Sequence, residues 1–230
     1  MSVTKFKKIF IHRVLYLCLL GVIFFLLMGL GFWQIHRAEE KKNILQAFAA
    51  GQAVTAVYWD GKQSEPLPFA RVKVKGILFS TIFYLDNQFF QHHVGYRVIV
   101  PLKVVGGKVL LVDMGWHPAN PNRKQLPDVK VKSLKIWQGT VYFPKLSKVE
   151  LGSFVDQKQG HRIVVETMDT QKFAEILHLE TYPWVLRTQG SDWSVVSVTP
   201  ERHYAYASQW FLMAVVVLII FFWRIFNEKK

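Results

Sequence analysis

Residues 14–33 read VLYLCLLGVIFFLLMGLGFW, a run of 20 positions without one charged side chain. At 1.5 Å per helical residue, such a run reaches roughly 30 Å, the thickness of a bilayer's hydrocarbon core. Residues 204–223 read YAYASQWFLMAVVVLIIFFW, a second run of the same length relieved only by Ser208 and Gln209. Neither run shows the polar stripe of a helix packed in a soluble core. Trp33 closes the first run; Tyr204, Tyr206 and Trp210 open the second and Trp223 closes it, as expected of aromatics at a membrane interface. Both are read as transmembrane helices.

The first run could serve as a cleaved signal, since Lys5, Lys7, Lys8 and Arg13 precede it. It is longer than a typical signal core, and the residues after it, Trp33-Gln34-Ile35-His36-Arg37, offer no small-x-small cleavage site. An uncleaved anchor fits better. Basic residues precede the first span, and Arg224, Lys229 and Lys230 against Glu228 follow the second, so both tails read as cytoplasmic. The expected organisation is a basic tail at 1–13, a helix at 14–33, an extracytoplasmic domain at 34–203, a helix at 204–223 and a tail at 224–230. The domain is periplasmic if the membrane is a bacterial plasma membrane. It faces the intermembrane space if the membrane is the mitochondrial inner membrane, with the tails in the matrix.

The composition agrees: 51% of the 230 residues are hydrophobic, 20% are charged and the mean hydropathy is +0.16. That much apolar character argues against disorder. The lone cysteine, Cys18, excludes an intramolecular disulfide, a Cys-rich zinc site and a dithiol motif. The formal net charge of +13 suits an anionic membrane or nucleic acid. Lys and Arg are scattered along strands rather than clustered with stacking aromatics, which with two spans excludes nucleic acid as a partner.

Past Trp33 the first helix is expected to continue through residues 37–48 and stop near Gly51. The rest of the domain reads as strand. Arg71-Val72-Lys73-Val74-Lys75 alternates strictly, and 96–105 and 108–112 flank Gly106-Gly107 as a hairpin. Further strands are expected at 81–85, 136–143, 162–167, 182–188 and 193–198, with one short helix at 170–178 capped by Asp169 or Thr170. Residues 117–127 read as a loop. The expected fold class is a membrane protein in which two transmembrane helices flank a mainly β domain, a small barrel or sandwich.

Chemistry is sparse. No Gly-rich phosphate loop, nucleophile elbow or H-E-x-x-H occurs, so the chain is not expected to be an enzyme. His92-His93 and His117 read as exposed loop residues, and His178 as a helix end favouring the dipole. His203 differs, standing at the mouth of the second span. On a helix its face is shared roughly by Ala207 and Trp210, with Tyr206 at i+3. A small residue one turn below an imidazole leaves a flat recess. Gly29 of the first span, at similar depth inward from Trp33, would allow close helix approach or a planar guest. An interfacial histidine that only anchors the helix is the plainer alternative.

At this point the residues resemble a known family. Gly31-Phe32-Trp33-Gln34-Ile35-His36-Arg37 is similar to the G-x-W-Q-x-x-R that ends the first span of the Surfeit-locus-one (Surf-one, or Shy-one) family. Arg71 to Gly76, Leu85-Asp86-Asn87, Gly95-Tyr96-Arg97-Val98 with Pro101-Leu102, then Val109 to Val112 with Gly115-Trp116 resemble its successive blocks. His203-Tyr204-Ala205-Tyr206-Ala207-Ser208-Gln209-Trp210-Phe211 resembles its closing H-x-x-Y-A-x-x-W-F. The order holds from end to end. Two positions depart: Gln88 stands where the family usually has arginine, and Asp113-Met114-Gly115-Trp116 replaces N-R-G-W. Any role of those cations does not carry over, and their loss is expected to weaken contact with an acidic partner rather than alter the fold.

The resemblance implies a cytochrome c oxidase assembly factor, acting on subunit I of a haem-copper terminal oxidase during insertion of haem a. Bacterial members bind haem a through the histidine of the closing block, here His203, so the iron would be the only metal held. The remaining candidate cargo-binding residues are Tyr206, Ala207, Trp210, Trp33 and Arg37. Arg37, Lys41 and Arg202 could neutralise the propionates. Partners on this reading are oxidase subunit I, the lipid bilayer and, as a further candidate, haem a synthase. The alternatives are a non-haem membrane scaffold that stabilises an oxidase subunit I intermediate and, ranked last, an anchored enzyme using Asp86, His93 or Asp113.

Overall fold

The first apolar run is the middle of a much longer helix, α1 (Val3–Ala53). The computed structural model describes residues 3–105, 107–120, 123, 125–129, 131, 134–145, 153–188 and 194–227, with side chains from residue 11 onward. The chain divides into two compact units, one formed by Met1–Gln46 with Val195–Lys230 and the other by Ala47–Ser194.

In the first unit, α1 is joined by a second long helix over Pro200–Asn227. Both are long and apolar enough to cross a membrane. Large apolar side chains such as Phe25, Leu26, Val216 and Ile219 are exposed along them, as expected of surface that faces lipid. As expected, α1 continues past Trp33 and ends near Gly51, at Ala53. The strand expected at 193–198 is absent over 194–198, and Trp193 lies outside the described residues. The reason is local: the Thr199 carbonyl accepts from the His203 N–H at 3.4 Å, which makes Thr199 the cap and Pro200 the first residue of the helix.

The second unit is built on nine strands: β1 (Val57–Trp59), β2 (Arg71–Leu78), β3 (Ile82–Phe90), β4 (His93–Val104), β5 (Val109–Pro118), β6 (Ile136–Tyr142), β7 (Val155–Gln159), β8 (Arg162–Val165) and β9 (Thr181–Thr188). Their order is β1-β2-β6-β9-β5-β4-β3-β8-β7, and an extra pairing of β2 with β4 closes β2, β6, β9, β5 and β4 into a five-stranded barrel. The expected barrel is thus present. Strict alternation in β2 turns Val72 and Val74 inward and Lys73 and Lys75 outward. Inside, Trp59, Leu102, Leu110, Trp137, Trp184 and Leu186 form one cluster with them. The 12-residue β4 is buried on both faces because it joins the barrel to the β3-β8-β7 extension.

The hairpin of β4 and β5 forms, with Lys103 opposite Val109, but residues 105–108 connect the strands rather than a two-residue Gly106-Gly107 turn; Gly106 lies outside the described residues. The short helix, α2 (Thr170–Leu177), is capped by Asp169, whose carboxylate accepts from the Gln171 N–H at 2.9 Å. Its Phe173 fills a second cluster with Phe83, Ile99 and Val185. His178 closes α2 in the left-handed conformation, with its N–H directed to the Ala174 and Glu175 carbonyls. Two strands, β1 and β7, had no signal in the alternation pattern. The helix over Pro200–Asn227 is α3.

The loop expected from His117 starts later, because His117 and Pro118 complete β5. His117 is therefore not an exposed loop histidine. It is half-buried opposite Tyr96, and burial holds its imidazole below the ordinary histidine range. His92 and His93 are exposed as expected, at a two-residue turn where Gln91 and His92 both have positive φ.

Charge in the barrel wall is concentrated at one place. Asp113 on β5 is fully buried, with Oδ2 accepting from Arg97 Nε at 2.8 Å and lying 3.3 Å from Arg187 Nε. Its Oδ1 accepts from the Gly115 N–H at 3.0 Å. The Arg187 guanidinium lies 3.7 Å over the Tyr142 ring. Burial pushes Arg187 down to about 10, against the opposing pull of Asp113.

Candidate functional site

The site grows from the seam between α1 and α3. On α1, Leu20, Leu27, Gly31 and Ala38 are buried, a spacing of seven, four and seven that keeps one face toward a partner helix. On α3 the buried positions are Pro200, His203, Ala207 and Ala214. Four of these eight are Gly or Ala, the residue types that let apolar helices approach closely. At Gly31 the approach is close: a Cβ would stand 2.4 Å from the Phe211 ring. Phe32 also packs edge-on against Phe211 at 5.4 Å. The close approach expected at Gly29 is not there: Gly29 is exposed and has nothing within 4 Å of an ideal Cβ. A two-residue offset turns a helix by about 200°, so Gly29 and Gly31 face nearly opposite ways.

Within the seam His203 is 9% exposed. Its Nδ1 lies 2.7 Å from Oε1 of Gln34 on α1. An amide oxygen only accepts, so Nδ1 carries the proton and donates it. Nε2 then holds the lone pair, and among the described residues it is buried with no hydrogen-bond partner. An unpaired buried acceptor costs about 1–3 kcal/mol, so this atom is out of keeping with a purely structural histidine.

Ala207, one turn along α3, is buried beside it at 3% exposure, so the recess expected over it is closed by packing. Trp33 and Tyr206 are exposed and Trp210 is partly so, and these aromatics do not close around the imidazole. Arg37 pairs with Glu40 on the next turn, Lys41 is half-buried and Arg202 exposed. The structure therefore brings together His203 and Ala207 from the expected set, and it adds Gln34 and Gly31. Gln34 could have been found as the uncharged polar residue that continues the Gly31 and Ala38 stripe.

The domain positions fare differently. Asp113 is committed to the guanidinium cluster of the barrel. Asp86 accepts from the Asn87 N–H and meets Arg123 at 3.4 Å, and His93 is exposed with Nδ1 at 2.8 Å from the Gln91 carbonyl. Gln88 turns its amide back to donate to the Asp86 carbonyl at 2.8 Å, while Met114 packs against the barrel core. Where the family's arginines would stand, this chain places a turn contact and a half-buried thioether. Among the described residues, no three His, Cys, Asp or Glu side chains group as metal ligands.

Comparison with known proteins fits this arrangement. The SURF1 family model matches residues 21–215, from within the first span to within the second. The SURF1-like protein of Rickettsia felis is 23% identical over 87% of this chain and 92% of its own length. Those of Rickettsia conorii and Rickettsia bellii are each 23% identical, covering 88% and 90% of this chain and 88% and 89% of theirs. With two apolar helices flanking a closed barrel and the match running across all three, the chain belongs to the SURF1 family of cytochrome oxidase assembly factors.

Proposed function

We propose that the protein is a non-enzymatic assembly factor that takes haem a on His203 and assists its insertion into subunit I of a haem-copper oxidase. The observation that carries this reading is the buried Nε2 lone pair of His203, without a partner among the described residues. A neutral imidazole with its lone pair presented is the form that ligates haem iron. A macrocycle could meet the imidazole only once the seam opens, and Arg37, Lys41 and Arg202 are the nearby cations in sequence that propionates could use. Haem a synthase, as the source of the cargo, is a second candidate partner beside subunit I.

A second reading has its own support. Nε2 and Ala207 are covered, so a ligand can reach them only after the seam parts. A scaffold that holds a subunit I intermediate and never touches haem needs no such opening.

The experiment that separates the two is His203→Ala in cells that depend on the protein for oxidase assembly. Alanine is a good helix former, so membrane levels of the variant should stay near normal. Its co-purifying haem and the cellular oxidase activity should fall severalfold. His203→Met, which also offers a haem ligand, should retain more of both. Unchanged haem and activity in His203→Ala would leave the scaffold reading standing.

We also propose that both termini are cytoplasmic, or in the matrix, with the barrel on the outer side of a bacterial plasma membrane or mitochondrial inner membrane. The basic flanks of the two spans motivate this. In a bacterial host, alkaline phosphatase fused near Asn120 should be active and the same enzyme fused at Lys230 inactive. The reverse pattern would overturn the topology.

A further inference from the structure

The barrel unit carries a cleft of about 780 Å³, walled on one side by Ala47 and Ala50 at the foot of α1 and on the other by β1 and residues 63–70. Specific contacts hold its walls. Phe48 packs edge-on against Phe69 at 5.8 Å, and Gln52 Nε2 donates to Thr140 Oγ1 at 3.0 Å. Trp59 Nε1 donates to the Ser64 carbonyl at 3.2 Å. Phe69 has φ 66°, a left-handed conformation that is rare for a bulky side chain, and its N–H donates to the Val141 carbonyl at 2.9 Å. Backbone strain of this kind persists where the surroundings fix it, and it gathers at ligand clamps. The volume falls within the roughly 300–1,000 Å³ of small-molecule sites. The lining is mostly apolar, and at the rim Val57 and Leu67 are 61% and 77% exposed.

One edge of the cleft is cationic. Alternation along β2 sets Arg71, Lys73 and Lys75 on its outer face, and Arg71 lines the cleft. Arg71 lies opposite Thr140, Lys73 opposite Tyr58 and Gln138, and Lys75 opposite Ile136, so no carboxylate faces this row in register from β1 or β6. Glu65, the one acid in the lining, is exposed, and neither it nor the half-buried Arg71 is in an ion pair among the described residues. We propose that the cleft binds a single-chain amphiphile with an anionic head, of the long-chain fatty acid class. Its chain lies between the α1 foot, β1 and Leu67, where each buried methylene favours binding. Its head meets Arg71, whose guanidinium takes a carboxylate through two parallel hydrogen bonds. A peptide is less well served: the open edge, β1, is three residues long and offers little ladder for an added strand. No histidine, cysteine or methionine lines the cleft, and the site is independent of the haem reading.

The test uses the full chain in phosphatidylcholine nanodiscs, with palmitic acid carrying a diazirine on its chain as the probe. After irradiation and proteolysis, mass spectrometry should find label within residues 47–72. Excess unlabelled palmitate should displace it; hexadecanol, the same chain without a charge, should not. Arg71→Ala should need about tenfold more probe for the same labelling, and Arg71→Lys, which keeps the cation, should recover most of it. Ala50→Trp fills the cleft and should remove the label, whereas Ala49→Trp, exposed and outside the lining, should keep it. Label confined to the two apolar spans means partition into lipid only and overturns the site. Equal loss in both tryptophan variants overturns the cleft as its location. Displacement by hexadecanol as effective as by palmitate, or unchanged labelling of Arg71→Ala, overturns the charge match on which the occupant rests. Label displaced by phosphatidylglycerol in the disc but not by added palmitate would give this face to the bilayer surface and overturn the single-chain occupant.

Discussion

Asp113→Ala should destabilise the barrel by about 3–5 kcal/mol, the usual cost of removing one partner from a buried ion pair. The carboxylate has no exposed surface and stands between two guanidiniums that are themselves almost fully buried, Arg97 at 2.7 Å and Arg187 at 3.3 Å. Without it, two like charges share a dry wall of the barrel and the Gly115 N–H loses its acceptor. Burial already pulls Arg187 down to about 10 against the opposing pull of Asp113, so removing the acid takes away the contact that offsets this burial. Near-UV circular dichroism of the full chain in detergent, which reports on Trp59, Trp137 and Trp184, should show a melting point lower by about 6–20 °C for a domain of this size. Asp86→Ala is the contrast: its Arg123 partner is exposed and 3.4 Å away, so the loss should stay under about 1 kcal/mol. Equal melting points for the two variants would mean that the barrel does not rely on its buried acid.

The second large effect is expected at Gly31. Any Cβ there would stand 2.4 Å from the Phe211 ring, so Gly31→Leu must push the ring aside or part the helices. Overpacking of this kind typically costs about 1–3 kcal/mol, and here it falls three residues from Gln34. Unfolding of the helix pair by sodium dodecyl sulfate in mixed micelles should shift to lower detergent fraction, and co-purifying haem should fall. Phe211→Ala added to Gly31→Leu should restore much of both by making room. Gly29→Leu is the matched control, because nothing lies within 4 Å of its Cβ position and it faces away from the seam. If the two glycines respond alike, the seam does not run through Gly31.

The contrast between these glycines shows where sequence reading reached and where it stopped. Two spans were legible because 20 apolar residues in a row admit few other readings, and the strands of the barrel because Val72 and Val74 alternate with Lys73 and Lys75. The helix face that meets its partner was not legible to within one residue. In an apolar span every face is greasy, so periodicity carries no contrast and depth measured from Trp33 could not choose between Gly29 and Gly31. His203 stood out as a titratable residue at the mouth of a span. Gln34 did not, because its role depends on a partner 169 residues away. Residues 194–198 failed for another reason: the β-branched Val195, Val196 and Val198 among serines imitate a strand, but Thr199-Pro200 commits the following chain to a helix start. Arg97 and Asp113 sat in apolar strands as opposite charges, and their pairing was readable in principle; the register of β4 against β5, needed to see it, was not.

Whether the protein carries haem decides between cargo carrier and scaffold, and one absorption spectrum addresses that directly. The full-length chain, purified in mild detergent from cells that make haem a, should show a Soret band with haem close to one per chain. A colourless protein from haem-replete cells would contradict the account and leave the helix seam, with His203 inside it, as scaffold alone.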